Sequence, residues 1–160
     1  MNKKELFDTP GAFLGRHLEN LSQLIESQSK EVFQQAGIEV PVKSCKAFMT
    51  IGDRGRISSA DIAREIQVSH QLVKQKLTTL EKRSLIGSEE DPLDKRKRLL
   101  ILTPEGKKQY AELQRLLPRF ERTYNSLYEK VGFKLIEQLE RVHQELLENP
   151  LYESQELTHE

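Results

Sequence analysis

The sequence predicts an all-α fold that carries one small β-hairpin. Apolar residues recur at helical spacing along most of the 160 residues, which is typical of amphipathic helices. This period stops after Ile86, where two short runs flank an Asp91-Pro92 turn and indicate a hairpin. Just before the hairpin, two short helical patterns are separated only by residues 67–68. Helices joined so tightly cross at a steep angle, so we expect a helix-turn-helix there.

The first helix is predicted to begin at Thr9, an N-cap, with proline at the first helical position. Gly37 ends it near residue 36, because glycine readily adopts the left-handed conformation after a helix. Pro41 is predicted to open a second, short helix, which residues 52–55 break. The apolar face of the first helix consists of Leu14, Leu18, Leu21, Ile25 and Val32.

Two further short helices form the predicted helix-turn-helix. The third helix is expected to begin with a serine cap at Ser59, and the fourth with a serine cap at Ser69. Helical spacing places one side of each helix in the core. The residues expected to be buried are Ile62, Ala63 and Ile66 in the third helix and Val73, Leu77 and Leu80 in the fourth.

The hairpin is predicted to pair residues 86–90 with residues 98–102 across a turn at 91–97. A hairpin directly after a helix-turn-helix is known as a wing. Its turn leads into four consecutive cations at residues 95–98, next to an apolar strand. We expect the strand to belong to the edge of the core and the cations to the exposed tip. Arg98 is expected to pair with Glu89 or Glu90 across the hairpin.

A long fifth helix is predicted to begin after Thr103, its N-cap. Pro118 lies inside this helix, so we expect a kink or a break there. Gly132 separates a last helix, and the acidic tail at 151–160 is expected to be loose. The apolar stripe of the fifth helix is Tyr110, Leu113, Leu117, Phe120, Tyr124 and Leu127, and that of the last is Phe133, Ile136, Leu139, Val142 and Leu146.

The distribution of charge indicates a polyanionic partner, although the formal net charge is zero. Residues 43–108 hold 15 lysine and arginine residues against nine aspartate and glutamate residues, a net charge of +6. The rest of the chain holds 10 basic and 16 acidic residues, a net charge of −6. A basic middle between acidic ends is typical of a module that faces a polyanion.

Composition excludes several other classes of protein. No apolar run approaches the roughly 20 residues of a membrane helix, there is no secretory apolar segment, and the single cysteine excludes an internal disulfide. We therefore expect a cytoplasmic protein without a membrane partner. The four histidines show no metal-ligand spacing, and no nucleophile–base motif or phosphate-binding loop is present. The sequence thus predicts no cofactor, no metal site and no enzyme activity.

The helix-turn-helix and wing resemble those of the MarR family of winged helix-turn-helix transcriptional regulators. The segment "VSHQLVKQKLTTLEKRSL" is similar to the family's recognition-helix pattern through Val68-Ser69, Val73, Leu80-Glu81 and Ser84-Leu85. The segment "DPLDKRKRLLILTPEG" is similar to the family signature Asp-Pro-x-Asp-x-Arg, then Leu-Thr, then Gly, without a gap. Its matching residues are Asp91, Pro92, Asp94, Arg96, Leu102, Thr103 and Gly106.

The resemblance implies a homodimeric regulator, expected to be a repressor, that binds double-stranded DNA at a pseudo-palindromic operator. Residues 41–103 would form the DNA-binding region, and residues 1–40 with 104–150 the helical dimerisation region. In the family the wing arginine enters the minor groove and an aspartate orients it, roles that fall on Arg96 and Asp94. The residues expected to contact DNA are Ser69, His70, Gln71, Lys74, Gln75 and Thr78 in the recognition helix and Asp94, Lys95, Arg96 and Lys97 in the wing.

Three positions depart from the family pattern. Ser84 stands where glycine is usual, Lys76 where an apolar residue is common, and Gln75 where many members carry arginine. These departures could change the turn into the wing, loosen the packing of the recognition helix and remove a contact to guanine. They keep open a second interpretation, a winged-helix protein-interaction module that has lost DNA binding. Leu99 and Ile101 add apolar surface on the second face of the wing, which a partner subunit could bury.

The resemblance further implies a small, often aromatic, acidic effector that releases the DNA, although no residue identifies its site. Cys45 has two interpretations, an oxidant sensor or a small buried residue. The neighbouring Lys43 and Lys46 would lower the pKa of the thiol and favour the sensor. Free cysteine is frequently buried, however, and we expect the structural role.

Overall fold

The computed structural model describes residues 11–95 and 97–154. Thr9, Pro10 and Arg96, which carry predictions made above, lie outside the described residues. The chain divides into two compact units, one ending at Gln114 and the other beginning at Arg115. Within the described ranges, no helix is both long enough and apolar enough to cross a membrane.

The described residues of the first unit form four complete α-helices, a two-stranded antiparallel hairpin and the beginning of a fifth α-helix. Short 3-10 turns at Gly11–Phe13 and Val42–Ser44 precede the first and second helices. The elements in chain order are α1 (Leu14–Gln35), α2 (Cys45–Arg54), α3 (Ser59–Glu65), α4 (His70–Lys82), β1 (Ile86–Glu90), β2 (Arg98–Leu102) and α5 (Pro104–Val131).

The end of α2 differs from the predicted one. The helix continues through Gly52 to Arg54, and the C-cap Gly55 turns the chain with a positive φ of +71°. Gly52 therefore does not break the helix. Its missing side chain instead allows the ring of Tyr110 to approach, since a Cβ at this position would overlap the ring. By contrast, the end of α1 is confirmed, because Gly37 turns the chain with φ +67° directly after the C-cap Ala36.

The helix-turn-helix is confirmed, with one correction at its start. The N-cap of α3 is Ser58, not Ser59, and its hydroxyl oxygen accepts the N–H of Asp61 at 3.1 Å. Ser59 has already entered the helix. Ser69 caps α4 as predicted, and four residues, 66–69, connect the two helices rather than two. Of the residues expected to be buried, Ile62, Ala63, Val73, Leu77 and Leu80 are buried and Ile66 is half-buried.

The wing forms with the predicted register, from Ile86 opposite Leu102 to Glu90 opposite Arg98. A further pairing was not predicted. Ile57, in the connection between α2 and α3, bridges Leu100, with main-chain N–H to oxygen distances of 2.8 and 3.3 Å. This isolated bridge is too short to show as a period in the sequence. The second strand is thus paired on both of its edges.

The core of the first unit lies between the helix-turn-helix, the hairpin and the start of α5. Thr103 joins these parts, because its hydroxyl donates to the carbonyl of Ser84 at 2.7 Å and accepts the N–H of Gly106 at 2.9 Å. A Cβ on Gly106 would overlap the carbonyl oxygen of Leu85, so only glycine fits there. The largest fully buried apolar side chains of this unit are Phe48, Ile51, Ile62, Val73, Leu80, Leu85 and Leu113.

The second unit contains the rest of α5 and the last helix, α6 (Leu135–Glu148). Of the two expectations for Pro118, the break is wrong, since α5 runs on to Val131, and the kink stays a prediction. A proline removes one main-chain hydrogen bond, and the remaining turns maintain the helix. Gly132 separates the two helices with φ +82°, as predicted. Residues 151–153 form an exposed 3-10 turn, and residues 155–160 lie outside the described part, so the loose tail stays a prediction.

Candidate nucleic-acid interface

The recognition helix α4 is two-sided. Val73, Leu77 and Leu80 fix its inner side in the core, and the outer side carries amides, hydroxyls and a lysine. Side chains three or four positions apart lie on the same face of a helix, so residues 71, 74, 75 and 78 form one surface. Such groups can bond both to base edges and to phosphates. The predicted contact residues of this helix, all of them exposed, are Ser69, His70, Gln71, Lys74, Gln75 and Thr78.

Ser69 combines a structural role with a free donor group. Its hydroxyl oxygen accepts the N–H of Leu72 at 3.3 Å and so caps α4. A hydroxyl has one donor and two acceptor sites, so this cap leaves its proton available to a phosphate oxygen. The partial positive charge of the N-terminus of α4, a helix of 13 residues, favours an anion at the same place.

Main-chain hydrogen bonds close the turn of the wing. The N–H of Asp91 donates to the carbonyl of Lys97 at 3.1 Å, and the N–H of Lys97 donates to the carbonyl of Asp94 at 2.8 Å. The carboxylate of Asp91 also accepts the N–H of Leu93 at 2.8 Å. The Asp-Pro-x-Asp pattern therefore has a local structural reason in this chain. It builds a tight turn that presents the following cations.

The charges of the wing lie close to the helix-turn-helix. Lys95 and Lys97 are exposed and Asp94 is half-buried, with its carboxylate 3.9 Å from the ammonium of Lys97. A hydrogen bond from Ser58 lowers the pKa of Asp61, and the charge of Lys97 contributes in the same direction. The charge of Lys97 is the smallest of the causes that act on Asp61, which lies in the first turn of α3. Because Arg96 lies outside the described residues, its pairing with Asp94 stays a prediction.

Sequence reasoning did not single out two exposed leucines and one arginine of this region. Leu72 is 41% exposed, and its position just before the buried stripe of α4 could have revealed this. Leu93, at the tip of the wing, is 96% exposed. Arg56 pairs with Glu89 at 2.7 Å and so holds the base of the wing. Of the two partners expected for Arg98, Glu90 lies opposite it in the hairpin, and that pairing stays a prediction. Nothing in the local sequence connects positions 56 and 89.

The structure shows the conformation, burial or contacts of the three positions that depart from the family pattern. Ser84 adopts φ +56°, the left-handed conformation that glycine would supply, so the turn into the wing keeps its form. Lys76 is half-buried, and its ammonium donates to the carbonyl of Lys43. Gln75 is exposed on α4. Leu99 and Ile101 are half-buried within the single chain.

A cleft of about 520 Å³ lies between α1, the segment before α2 and one side of α4. Three of its cations are engaged. Lys43 pairs with Glu26 at 3.1 Å, Arg83 donates to the carbonyl of Glu39 at 2.8 Å, and Lys76 donates to the carbonyl of Lys43. The cleft therefore combines apolar walls with positive charge beside the recognition helix. Its apolar lining includes Phe33, Ile38, Val40 and Leu72, and its cations are Lys30, Lys43, Lys76 and Arg83.

Cys45 is half-buried at the start of α2. Burial raises the pKa of its thiol from 9.0 to about 11, and the charge of Lys46 opposes this only in part. The thiol is thus protonated at neutral pH and a poor nucleophile, which supports the structural interpretation. Over the ranges 11–95 and 97–154, no group of three or more histidine, cysteine, aspartate or glutamate side chains is placed to hold a metal ion.

Comparison with known proteins gives a family and a fold. Residues 44–97 match the model of the MarR family. No curated protein matches the chain.

Three solved structures illustrate the shared fold. The adhesin competence repressor AdcR from Streptococcus pyogenes is 20% identical over 85% of this chain and 98% of its own, with a TM-score of 0.60. A probable transcriptional regulator from Pseudomonas aeruginosa is 22% identical over 79% and 99%, with a TM-score of 0.55. A variant of MepR from S. aureus, bound to an oligodeoxyribonucleotide, is 19% identical over 88% and 98%, with a TM-score of 0.50.

At these identities the likeness to solved structures shows the fold alone. The family match adds the sequence evidence, since residues 44–97 contain α2, α3, α4, β1 and the turn of the wing. The resemblance first noted in the recognition helix and wing is thereby confirmed. Residues 44–97 thus resemble the MarR family in sequence, and the chain shares the winged helix-turn-helix fold of the solved structures.

Proposed function

We propose that this protein is a cytoplasmic, homodimeric transcriptional repressor that binds a pseudo-palindromic DNA site. The observation that carries the proposal is the exposed polar side of α4 next to a basic wing, within the segment that matches the MarR family. The MepR variant, which shares the fold, was solved with an oligodeoxyribonucleotide bound. Regulators of this family are generally not enzymes, and we propose no enzymatic activity here.

In the proposed complex, α4 enters the major groove. The amide of Gln71 can form a bidentate pair with adenine, and His70, Gln75 and Thr78 extend the same surface. Lys74 and the hydroxyl of Ser69 would neutralise or bond phosphates, which position the helix without reading sequence. Side-chain chemistry and exposure on one side of α4 support these roles.

The wing would bind beside the major-groove site. Arg96 would enter the minor groove, where a planar and weakly hydrated guanidinium suits the negative potential. Asp94 would orient it, and Lys95 and Lys97 would contact phosphates. The closed main-chain turn supports this role, because its hydrogen bonds tie the main chain of Lys97 to that of Asp91 and Asp94.

A homodimer would supply the second half of the site. Two-fold symmetry would place two recognition helices about 34–36 Å apart on successive major grooves. Exposed apolar side chains on two helices support self-association. In α1, Leu14 is 53% and Leu24 46% exposed, and no residue of α6 is buried. Contiguous exposed apolar side chains are typical of protein–protein interfaces.

An effector would bind in the cleft beside α4. The apolar lining, together with four lysine or arginine residues against two glutamates, supports a small aromatic acid as the ligand. Occupation of the cleft would press on Leu72, which lines it and belongs to the recognition helix. We expect benzoic-acid derivatives to raise the melting temperature of the protein and to weaken its DNA binding. If no acid in such a panel does either, this part of the proposal is wrong.

An electrophoretic mobility shift with total genomic fragments tests the main proposal. We expect a discrete subset of fragments to be retarded at physiological salt, where nonspecific binding is weak. Absence of any retarded fragment, with the protein folded, would favour the alternative, a winged-helix protein-interaction module. Uniform retardation of all fragments would contradict sequence-specific recognition.

A further inference from the structure

We propose that Lys76 is a positioning residue, which fixes the rotation of the recognition helix α4 against the 3-10 turn Val42–Ser44. The inference rests on the proposed function, in which α4 reads DNA. Lys76 is half-buried in the wall of the cleft beside α4, and its ammonium is bonded to the carbonyl of Lys43. Its role would therefore be exerted through the orientation of the helix and not through contact with DNA.

Two hydrogen bonds of opposite direction join α4 to this turn. The ammonium of Lys76 donates to the main-chain carbonyl of Lys43. In return, the hydroxyl of Ser44, a residue only 3% exposed, donates to the main-chain carbonyl of Lys76 at 3.4 Å. The side chain of each element thus bonds the main chain of the other. Hydrogen bonds are directional, so this reciprocal pair restricts both the sliding and the rotation of α4 against the turn. An apolar contact is non-directional and would restrict these movements less.

The two hydrogen bonds between α4 and the turn are called the anchor below. The surroundings of Lys76 make loss of its bond in this anchor unfavourable. Burial lowers the pKa of its ammonium, and the nearby charge of Lys43 lowers it further while Glu26 opposes both. A partly desolvated ammonium needs a fixed acceptor, because its loss leaves a poorly solvated charge. The side chain of Lys43 is itself paired with Glu26 of α1 at 3.1 Å. The anchor therefore connects α4, through the turn, to α1.

Rotation of α4 matters most for reading bases. Gln75 directly precedes Lys76, and Gln71 lies one turn earlier on the exposed side. Bidentate contacts to a base edge need a narrow geometry, whereas phosphate contacts tolerate small displacements. Loss of the anchor should therefore reduce the preference for one sequence more than it reduces binding to DNA in general.

The test compares Lys76→Met with Lys74→Met, since both remove one positive charge from the same helix. Each variant is titrated against a duplex selected by the wild-type protein and against a shuffled duplex, across a salt series and below its melting temperature. We expect Lys76→Met to lower the ratio of the two affinities about tenfold with an unchanged salt dependence. Lys74→Met should instead weaken binding to both duplexes and lower the salt slope by about one per subunit.

Hydrogen exchange of the DNA-free protein gives an independent readout. We expect Lys76→Met to speed exchange of the amides in the middle of α4, while α3 is unchanged and Lys74→Met has no such effect. An unchanged affinity ratio in folded Lys76→Met overturns the inference and leaves the proposed function standing. If wild-type protein selects no duplex, the proposed function fails and the positioning role fails with it, whatever exchange shows about the anchor.

Discussion

Asp94 is the residue whose role is hardest to explain by charge alone. It is a carboxylate next to the cations of the wing, at a surface proposed to meet phosphates. Its carboxylate lies 3.9 Å from the ammonium of Lys97, and its carbonyl accepts the N–H of the same residue. Coulomb repulsion predicts that Asp94 weakens DNA binding, whereas an orienting role for Arg96 predicts the opposite.

The pair of substitutions Asp94→Ala and Arg96→Ala separates these roles. Arg96→Ala should weaken binding and reduce the salt slope by about one per subunit, because a contact in the phosphate region is lost. Asp94→Ala should also weaken binding, since Arg96 would lose its fixed rotamer. Lys95→Ala is the control and should have a smaller effect. Fluorescence anisotropy across a salt series measures all three. Tighter DNA binding by Asp94→Ala at every salt concentration would contradict the orienting role of Asp94. The wing would then contribute only nonspecific positive charge.

Cys45 gives a prediction that depends on pH. Its folded pKa is about 11, against 9.0 in an unfolded chain. At pH 8 the native thiol should therefore react with iodoacetamide about 100-fold more slowly than the urea-unfolded chain. The free energy of unfolding should fall as pH rises from 9 to 11, because the unfolded state loses its proton first. Equal alkylation rates in the two states would contradict the burial of this thiol.

At the scale of single elements, the end of the recognition helix explains how serine replaces glycine. The N–H of Leu85 donates to the carbonyl of Leu80 at 3.1 Å, and the N–H of Ser84 donates to that of Glu81 at 2.8 Å. These two bonds form a Schellman motif, with Ser84 in the left-handed position. The hydrogen bonds hold the serine in a conformation that costs an L-residue roughly 1–2 kcal/mol.

Ser84→Gly should consequently stabilise the protein. Relief of the left-handed strain is offset in part by the greater freedom of glycine in the unfolded chain, so we expect a gain of about 0.5–1 kcal/mol in the free energy of unfolding. Ser88→Gly, in the strand β1, is the control and should lower stability by a similar amount. Urea denaturation of both variants checks the prediction. A loss of stability in Ser84→Gly would show that the serine side chain contributes more than its strain costs.

Elements with strong local signals could be predicted, and features that depend on distant partners could not. The bounds of β1 and β2 and the cap of α5 at Thr103 were predicted correctly, since turn chemistry and caps are local. The bridge of Ile57 to Leu100 and the anchor of Lys76 join residues more than 30 positions apart. No period or motif marks such pairs in one sequence.

In the candidate site, too, features set by the local sequence could be predicted and those that depend on distant residues could not. Exposure of the outer side of α4 follows from helical spacing, so Gln71 and Lys74 could be identified from the sequence. The cleft beside α4 combines side chains from α1, the following segment and α4 itself, and could not be predicted. The continuity of α5 through Pro118 could not be predicted either, because the helix depends on the stability of its neighbouring turns.

At the scale of the whole molecule, the exposed apolar residues of α6 predict a dimer. Ile136 is 50%, Leu139 37% and Val142 46% exposed in the single chain. Wild-type protein should therefore sediment as a dimer at micromolar concentration. Leu139→Lys should shift it toward monomer, whereas Glu140→Lys, at an exposed position on the same helix, should not. A wild-type monomer under these conditions would remove the basis for two half-sites.

Selection of bound sites from random duplexes tests the central claim, sequence-specific DNA binding by α4 and the wing, most directly. We expect wild-type protein to enrich two inverted half-sites whose centres are about 10 base pairs, one helical turn, apart. Gln71→Ala should relax the preference at one base pair in each half-site, at a cost of about 1–3 kcal/mol for the preferred site. Lys74→Ala should weaken binding without changing the selected sequence. No enriched sequence, or equal loss by Gln71→Ala on every duplex, would contradict the claim.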